Sequence, residues 1–413
     1  MKLSFIIFIL TFFTGLTNAQ IVQFRGPDRD GKFPDTGLLK EWPESGPALL
    51  LEFEGIGKGY SSVVSNGKYI YATGMIDTLD YLTCIDFEGD KKWQVPYGES
   101  WKQSFPDTRS TPTIEDDRVY VISGIGELVC LNAETGAINW KVNVDRDFKA
   151  DWHIWGVSES PLIVDDKVIC TPGGTETSVV AFNKMTGENL WKTDCVGGQR
   201  SYASPTLYQL NGNRYILAAS ATNLVAVEPE TGMVKMTYKY YNQEKWSDQP
   251  GLIWTNIPLF RKDEIFLSMG YDYPAVMLKV NAEQNGFTEM YTDTIFDNHH
   301  HGLIELDGYI YGSNWENNRK GNWLCKNWET GEITYNVPWN TKGAVIYADG
   351  LLYIYEEQRG NVAIVKPDPS GFNPISTFQV KKGSGPHWAH PFIHEGKLFI
   401  RHGELLMVYN LKA

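Results

Sequence analysis

The stretch Leu-Asn-Ala-Glu-Thr-Gly-Ala-Ile-Asn-Trp at residues 131–140 decides the fold, because it recurs along the chain. A close copy, Phe-Asn-Lys-Met-Thr-Gly-Glu-Asn-Leu-Trp, occupies 182–191, and weaker copies lie at 227–236 and 326–335. In each copy the glycine supplies the positive φ of a tight hairpin, and the flanking residues alternate as they do in strands. The stretch therefore predicts two antiparallel strands, with the following Trp, Tyr or Met packed between neighbouring units.

A longer repeat becomes visible when the short apolar strand that opens each unit is also counted. The seven steps from Val63 to Pro391 average about 47 residues. A period of roughly 40 to 50 residues with several short strands per unit is typical of a β-propeller. A second hairpin in most units, such as the one at Asn211-Gly212, brings each unit to four strands. We therefore predict an all-β fold of eight four-stranded blades, with seven blades as the alternative. The eight opening dipeptides are Ser62-Val63, Thr111-Pro112, Ser160-Pro161, Ser204-Pro205, Ile257-Pro258, Gly302-Leu303, Ala344-Val345 and His390-Pro391.

The two ends of the repeat indicate how the ring closes. The last unit ends at 405–410 without a Thr-Gly hairpin, and an extra strand at 48–53 precedes the first unit. Pairing this N-terminal strand with the last blade would remove an exposed sheet edge. We therefore assign residues 48–413 to the propeller and residues 20–47 to an N-terminal extension.

The first residues predict export. Met1-Lys2 is followed by an apolar stretch at 3–16 and by Thr17-Asn18-Ala19, which together are typical of a cleavable signal peptide over 1–19. The apolar stretch is too short for a membrane span, and no cysteine follows the expected cut. We expect a secreted or periplasmic monomer without a lipid anchor. A net charge of −13 argues against a nucleic-acid partner.

The five cysteines are expected to be structural. Cys130 and Cys325 stand six residues before the glycine of their Thr-Gly turns, and the next copy of the repeat after Cys130 has Ala181 there. Exchange with alanine is what a small buried strand residue tolerates. Equivalent positions in different blades are also too far apart to form a disulfide.

With these motifs in place, the chain resembles the quinoprotein-type propellers, both the pyrroloquinoline quinone (PQQ)-dependent dehydrogenases and the outer-membrane assembly lipoproteins. The segments at 24–31, 155–161, 171–174 and 385–391 resemble secreted bacterial members of unassigned activity. The resemblance covers essentially the whole mature chain and implies the propeller fold.

The resemblance also implies features that can be looked for. PQQ dehydrogenases of this type carry a vicinal cysteine pair, a tryptophan floor, and Glu, Asn and Asp around calcium. Trp155, Trp254 or Trp388 would provide a floor, but this chain has no adjacent cysteines and no Cys-x-x-Cys-His haem motif. We therefore do not expect PQQ. The lipidated cysteine of the assembly proteins is missing as well.

The loops that enter the first strand of each blade are expected to open on a central funnel. The residue two before each opening dipeptide is polar, charged or aromatic in every unit. Polar side chains are common in loops, but several of these side chains can transfer protons, carry charge or stack on a ligand. They are Tyr60, Arg109, Ser158, Tyr202, Thr255, His300, Lys342 and Trp388.

Histidines concentrate in the same loops. His299-His300-His301 precede unit six, and His387 and His390 precede unit eight. Neutral imidazoles from two loops together with a carboxylate would suit a divalent metal such as zinc or manganese, and we predict His299, His301, His387 and His390 as ligands. Acid/base chemistry or hydrogen bonds to loop backbone are the alternatives. His153 lies in the corresponding loop before unit three.

The cationic and aromatic side chains favour a carbohydrate ligand. Arg109 and Lys342 would neutralise a carboxylate or sulfate, while a histidine and Tyr202 would act as base and acid in a β-eliminating lyase. Pairing of Arg109 with Asp107 or Glu159 is the structural alternative. The predicted catalytic residues are His300, His301, His387, Tyr202, Arg109 and Lys342. The predicted substrate-binding residues are Tyr60, Glu159, Arg200, Trp254 and Trp388.

The sequence thus predicts an exported propeller that binds and processes a carbohydrate or another small molecule by lyase-type or metal-assisted chemistry. A non-catalytic scaffold of the cell envelope and a PQQ-dependent dehydrogenase are the alternatives.

Overall fold

A computed structural model describes residues 21–151, 154–241 and 253–412. The predicted signal peptide at 1–19 and His153 lie outside the described residues. Within them, eight sheets follow one another along the chain, and each is built on four antiparallel strands. One of these sheets gains a fifth, parallel strand from the N-terminal segment. The eight-bladed propeller predicted from the period is therefore confirmed, and the seven-bladed alternative is wrong.

Two strands precede the blades: β1 (Lys32–Phe33) and β2 (Leu49–Glu54). Blade one contains β3 (Val64–Ser65), β4 (Ile70–Ile76), β5 (Leu79–Ile85) and β6 (Lys91–Glu99). Blade two contains β7 (Thr113–Glu115), β8 (Arg118–Ile122), β9 (Glu127–Asn132) and β10 (Ile138–Asn143), followed by the short helix α1 (Val144–Asp147). Blade three contains β11 (Leu162–Val164), β12 (Lys167–Cys170), β13 (Val180–Asn183) and β14 (Asn189–Lys192). Blade four contains β15 (Thr206–Leu210), β16 (Asn213–Ala219), β17 (Asn223–Val227) and β18 (Val234–Lys239).

The second half of the ring repeats the pattern. Blade five contains β19 (Leu259–Arg261), β20 (Glu264–Leu267), β21 (Ala275–Val280) and β22 (Phe287–Asp293). Blade six contains β23 (Ile304–Leu306), β24 (Tyr309–Ser313), β25 (Trp323–Asn327) and β26 (Ile333–Val337). Blade seven contains β27 (Gly343–Ala348), β28 (Leu351–Glu356), β29 (Asn361–Val365) and β30 (Pro374–Gln379). Blade eight contains β31 (Phe392–His394), β32 (Lys397–His402) and β33 (Leu405–Asn410).

The fourth strand of blade eight comes from the other end of the propeller repeat. Strand β2 pairs antiparallel with β33, with Leu49 opposite Tyr409 and Glu54 opposite Leu405. This confirms the predicted closure by the N-terminal strand. The pairing covers the edge of β33 and joins the first and last blades, so the ring has no open seam. Among the described residues, no helix has the length and apolar character needed to cross a membrane.

The Thr-Gly turns pack one blade against the next. Gly136, with φ of 71°, lies so close to Trp93 of the preceding blade that an added Cβ would stand 2.7 Å from its ring. The Trp93 indole also donates a 3.2 Å hydrogen bond to the Ala133 carbonyl of that turn. The same arrangement joins Trp140 to the turn of blade three, where an added Cβ at Gly187 would again lie 2.7 Å from the ring. Glycine is required because the turn needs positive φ and leaves no room for a side chain.

Four of the five cysteines are buried strand residues. Cys84, Cys130 and Cys325 stand in the third strands of blades one, two and six, as the repeat predicts, and are fully buried. Cys170 is buried in blade three, whereas Cys195 is exposed and lies outside the strands. All five are free thiols.

The N-terminal extension fills the axis of the ring. Strand β1 runs parallel to β27 and pairs with Tyr347 and Ala348 at the C-terminal end of β27. The Val22 backbone bridges to Ile114 in the innermost strand of blade two. Residues 21–33 therefore lie inside the ring, and we call this segment the axial plug.

Two buried arginines fasten the plug to several blades. Arg29 donates to the carbonyls of Ser160, Pro161 and Pro205, in blades three and four. Arg25 donates to the carbonyls of Leu303 and Val345, in blades six and seven. Because these carbonyls face the axis, charge-assisted hydrogen bonds from one segment link opposite sides of the ring.

Candidate functional site

The loops at one end of the axis surround a cavity of about 580 Å³, which we call the axial cavity. The structure brings all eight residues that precede the blade openings to this cavity, as the repeat alignment predicts. Equivalent loops of a closed ring face one axis, so residues far apart in the chain become neighbours. The eight are Tyr60, Arg109, Ser158, Tyr202, Thr255, His300, Lys342 and Trp388.

A second set of loops contributes side chains that the sequence reasoning missed. Tyr271, Arg319 and Glu357 line the cavity from the connections between the second and third strands of blades five, six and seven. In an antiparallel blade this connection opens at the same end as the loop that enters the first strand. Reading both loops of every repeat would have found these residues.

Aromatic rings form a continuous wall around part of the cavity. Tyr60 contacts Trp388 at 5.0 Å between ring centroids, and Trp388 contacts Phe105 at 5.9 Å. Phe105 lies 6.4 Å from Trp155, which lies 5.5 Å from Tyr202. The Phe105 side chain is 57% exposed, so it stands at the rim. Such a wall can stack on the apolar faces of a ring-containing ligand.

Arg109 provides positive charge beside this wall. Its guanidinium donates to the carbonyls of Phe105 and Asp107, and it lies 5.8 Å from the centre of the Tyr60 ring. Burial lowers the pKa of Arg109, against the opposing effect of Tyr60, but a guanidinium remains charged at neutral pH. Its hydrogen bonds go to backbone carbonyls and not to the Asp107 carboxylate, which was a predicted partner of Arg109. Arg109 is thus a cation held by neutral groups.

Glu357 is the centre of a polar cluster on the cavity wall. One carboxylate oxygen lies 2.8 Å from the Lys342 ammonium, and the other lies 3.0 Å from His301 Nε2. The Trp388 indole donates to the second oxygen at 3.1 Å, and His300 Nε2 lies 3.9 Å from it. Burial alone would raise the pKa of Glu357, but the hydrogen bond from His301 and the nearby positive charge outweigh it and lower the pKa to about 2. Glu357 is therefore a carboxylate across the physiological pH range.

The three consecutive histidines are neutral at pH 7. Burial lowers the pKa of His299 to about 3, and burial together with neighbouring imidazoles lowers that of His300 well below its ordinary value. Burial also lowers the pKa of His301. Among the described residues, His300 Nε2 and His301 Nδ1 are buried without a hydrogen-bond partner. Each therefore carries a nitrogen that the protein itself does not use.

Tyr202 stands at one end of the aromatic wall and offers a hydroxyl group there. Its oxygen accepts hydrogen bonds from the backbone N–H groups of Ile154 and Trp155 at 3.3 and 3.1 Å. Burial raises the pKa of Tyr202, so the phenol keeps its proton at neutral pH. With its lone pairs facing two donors, the hydroxyl can donate its proton into the cavity.

The structure corrects the predicted role of His387. Its ring stacks on His402 at 3.6 Å between centroids, and its Nδ1 pairs with the Tyr355 hydroxyl. It does not line the axial cavity, although it stands only three residues before His390 in the chain. The loop turns the His387 ring between blades seven and eight, away from the histidines that line the cavity.

Three predicted substrate contacts are also interior residues. Glu159 is fully buried and binds the Thr171 backbone, while Arg200 pairs with Asp145 at 2.6 Å. Trp254 is fully buried and donates to the Asn256 carbonyl. None of the three lines the axial cavity. Each is buried inside the blades, so the three residue types suit a site but their positions do not.

The predicted metal ligands are rearranged in a similar way. His300, His301 and Glu357 form the group whose potential ligand atoms lie within 4.8 Å of one another. His390 lines the cavity, but its nitrogens face Arg25 at 3.1 Å and the His300 carbonyl at 2.8 Å. His299 Nδ1 faces His300 Nδ1 at 3.0 Å. Of the predicted ligands only His301 belongs to the group, and His300 and Glu357 complete it.

The residues present do not fit calcium-bound PQQ. Calcium prefers several carboxylate and carbonyl oxygens. Among the described residues Glu357 is the carboxylate that lines the cavity, and it already contacts Lys342, His301 and Trp388. None of the five cysteines lines the cavity, so no cysteine pair stands above a bound ring. The absence of a vicinal cysteine pair, noted in the sequence, agrees with this donor set.

Comparisons with known proteins agree with the architecture. A family model described as outer membrane protein assembly factor BamB matches residues 80–337. The crystal structure of BamB from Moraxella catarrhalis superposes with a TM-score of 0.62 at 15% identity, covering 88% of this chain and 99% of that one. A europium-containing methanol dehydrogenase superposes with a TM-score of 0.59 at 13% identity, covering 86% and 85%. At these identities the superpositions show the fold alone.

Two curated relatives are dehydrogenases. Polyvinylalcohol dehydrogenase from a Pseudomonas species is 25% identical over 38% of this chain and 28% of its own length. Quinoprotein ethanol dehydrogenase from Pseudomonas aeruginosa is 28% identical over 32% of this chain and 24% of its own length. This chain thus matches less than a third of either relative.

Proposed function

The chain belongs to the family of outer membrane protein assembly factor BamB, and we propose that it is an exported member whose axial cavity binds and processes an acidic carbohydrate. One observation supports this most directly: one cavity combines an aromatic wall, the cation Arg109 and a cluster of neutral imidazoles beside Glu357. Sugar rings stack on aromatic faces, and a sugar carboxylate or sulfate pairs with a guanidinium.

The balance of charge favours an anionic ligand. Lys342 and Glu357 offset each other at 2.8 Å, which leaves Arg109 and Arg319 as the further charged side chains among those lining the cavity. In a cavity partly closed to water, two positive charges attract an anion more strongly than they would at an open surface. A neutral sugar would use the aromatic wall but not these charges.

The chemistry we propose is β-elimination next to a carboxylate. A base takes the proton from the carbon that bears the carboxylate, a carbon–carbon double bond forms, and the bond from the adjacent carbon to the glycosidic oxygen breaks. Tyr202 donates a proton to the leaving oxygen, and Arg109 neutralises the carboxylate while charge develops. The lone pair on His300 Nε2 can serve either as the base or as a ligand of a cation that assists the reaction.

The test is a binding and turnover screen with uronic-acid oligosaccharides and neutral oligosaccharides of equal length. Calorimetry should show binding of the acidic series only, and elimination should appear as ultraviolet absorbance of the new double bond conjugated to the carboxylate. His300→Gln should lose turnover. Equal binding of both series, or binding of neither, would refute the proposal.

The second candidate function is a non-catalytic scaffold that docks another protein. It is favoured by the family and by the coverage of nearly the whole M. catarrhalis BamB chain. In that case changes in the axial cavity would leave function intact, and changes on the outer strands of the blades would abolish it. Captured partners lost with outer-strand variants but kept by His300→Gln would favour this candidate.

A further inference from the structure

We propose that His300, His301 and Glu357 form a binding site for a zinc-class divalent cation on the wall of the axial cavity. The site itself rests on the geometry of these three residues. Its role, to hold and polarise the carboxylate of an acidic sugar, rests on the proposed function.

The distances match the ligand shell of such a cation. Zinc bonds to imidazole nitrogen and carboxylate oxygen are about 2.0–2.1 Å, so two ligand atoms of a tetrahedral site lie about 3.3 Å apart. Here the Glu357 oxygen is 3.0 Å from His301 Nε2 and 3.9 Å from His300 Nε2. All three potential ligand atoms lie within 4.8 Å of one another, so side-chain shifts on the order of an ångström would place them around one ion.

The free ring nitrogens also suit a cation. A metal ligand must offer a lone pair, and His300 Nε2 and His301 Nδ1 are buried without a hydrogen-bond partner among the described residues. In the metal-free form the His301 Nε2 proton occupies the space beside Glu357, and the unpartnered Nδ1 of the same ring can receive that proton when a cation binds.

Outer contacts hold two of the ligands in place. His300 Nδ1 faces His299 Nδ1 at 3.0 Å, which orients the ring with Nε2 towards Glu357. Lys342 contacts the other carboxylate oxygen at 2.8 Å and is itself held by the Asn317 carbonyl at 2.7 Å. Such partners orient metal ligands and set their affinity. The Lys342 charge repels a cation, which favours a tightly binding metal such as zinc over magnesium or calcium.

Three protein ligands leave a fourth position for an external group. His300 and Glu357 line the axial cavity, so that position opens towards the aromatic wall and Arg109. Three-ligand sites with an open position are typical of catalytic rather than structural zinc. A sugar carboxylate could then bind the cation and Arg109 together.

The experiment is zinc titration of the chelator-treated full chain by calorimetry, with Co²⁺ absorbance as a second probe. The wild type should bind one zinc per chain, and Co²⁺ should give the strong visible bands of four-coordination. His300→Ala and Glu357→Gln should each weaken zinc binding at least about a hundred-fold, beyond the roughly 10- to 100-fold cost of losing an outer partner. His394→Gln, a histidine outside the cavity, is the matched control and should bind zinc as the wild type does.

Failure of this inference is distinguishable from failure of the proposed function. Arg109→Gln should keep zinc binding and lose affinity for uronic-acid oligosaccharides. If the wild type binds no stoichiometric zinc, or if both His300→Ala and Glu357→Gln bind it unchanged, the metal site is refuted whatever the oligosaccharide screen shows. Circular dichroism of both variants confirms that each is folded, and a six-coordinate Co²⁺ spectrum would also overturn the inference.

Discussion

The axial plug and the axial cavity use the same residue types in opposite ways. In the plug, Arg29 directs its guanidinium at Gln23 and at three backbone carbonyls. In the cavity, Arg109 bonds to two carbonyls of its own loop and faces open space. An arginine whose donors bind several blades stabilises the ring, whereas one that contacts only its own loop can bind something else. Residue type alone does not separate the two roles.

The imidazoles differ in the same way. His390, next to the plug, has both nitrogens engaged by Arg25 and the His300 carbonyl. His300, whose loop enters blade six, has a buried Nε2 that no described residue uses. A buried polar atom without a partner costs free energy, so its persistence at a cavity wall suggests that a ligand or ion satisfies it. The predictions below test this division from the largest effect to the smallest.

Removal of the plug arginine should give the largest loss of stability. Arg29→Met leaves three buried carbonyls without a donor, and we expect it to lower the free energy of unfolding by about 3–5 kcal/mol. Urea denaturation measures this. Arg146→Met, at an arginine with 74% side-chain exposure, should change stability by less than about 0.5 kcal/mol. Equal losses of unfolding free energy in the two variants would show that the buried hydrogen bonds of Arg29 do not stabilise the ring.

Stability should depend on the ionisation of Glu357. Because its pKa is lowered to about 2, the carboxylate stabilises the folded state above the unfolded pKa, and this contribution is lost as pH falls from about 4.5 towards 2. At pH 7 we expect Glu357→Gln to be roughly 2–4 kcal/mol less stable than the wild type. The difference should narrow in acid denaturation below pH 4.5. A difference independent of pH would show that the charge is not responsible.

Arg109 should affect ligand binding rather than folding. Arg109→Gln removes a charge that faces the cavity, and we expect affinity for uronic-acid oligosaccharides to fall roughly 10- to 100-fold, about 1.4–2.7 kcal/mol. Unfolding free energy should change by less than about 1 kcal/mol. Calorimetry and urea denaturation of the same variant provide both values. A large loss of stability with unchanged affinity would place Arg109 with the plug arginines.

The smallest effect is expected from the aromatic wall. Trp155→Ala should weaken oligosaccharide binding about three- to ten-fold, since one stacking contact contributes about 0.5–1.5 kcal/mol. Trp254→Phe provides the contrast, because Trp254 is fully buried and outside the cavity. That change should lower stability and leave affinity unchanged. Affinity and stability measured for both variants would distinguish a tryptophan that contacts the ligand from one that packs between blades.

The repeat made most of the fold predictable from sequence. The Thr-Gly turns, the tryptophans that follow them and the orphan strand at 48–53 are local patterns, and each has the structure expected. Aligning the openings also placed eight side chains at one cavity. The same reasoning failed at His387, Glu159, Arg200 and Trp254, because a loop can turn a side chain towards the ring axis or into a blade. Sequence position does not record that choice.

The ring can be read from the amino-acid sequence: the number of blades, their closure and the end at which the loops before the first strands gather. These features follow from hydrogen-bonding patterns and packing that repeat along the chain. Which side chains meet depends on the tertiary structure. Glu357 reaches His301 across 56 residues, and Arg25 reaches His390 across 365. Such contacts depend on the curvature of the closed ring and on the path of the plug through it, which no local pattern contains.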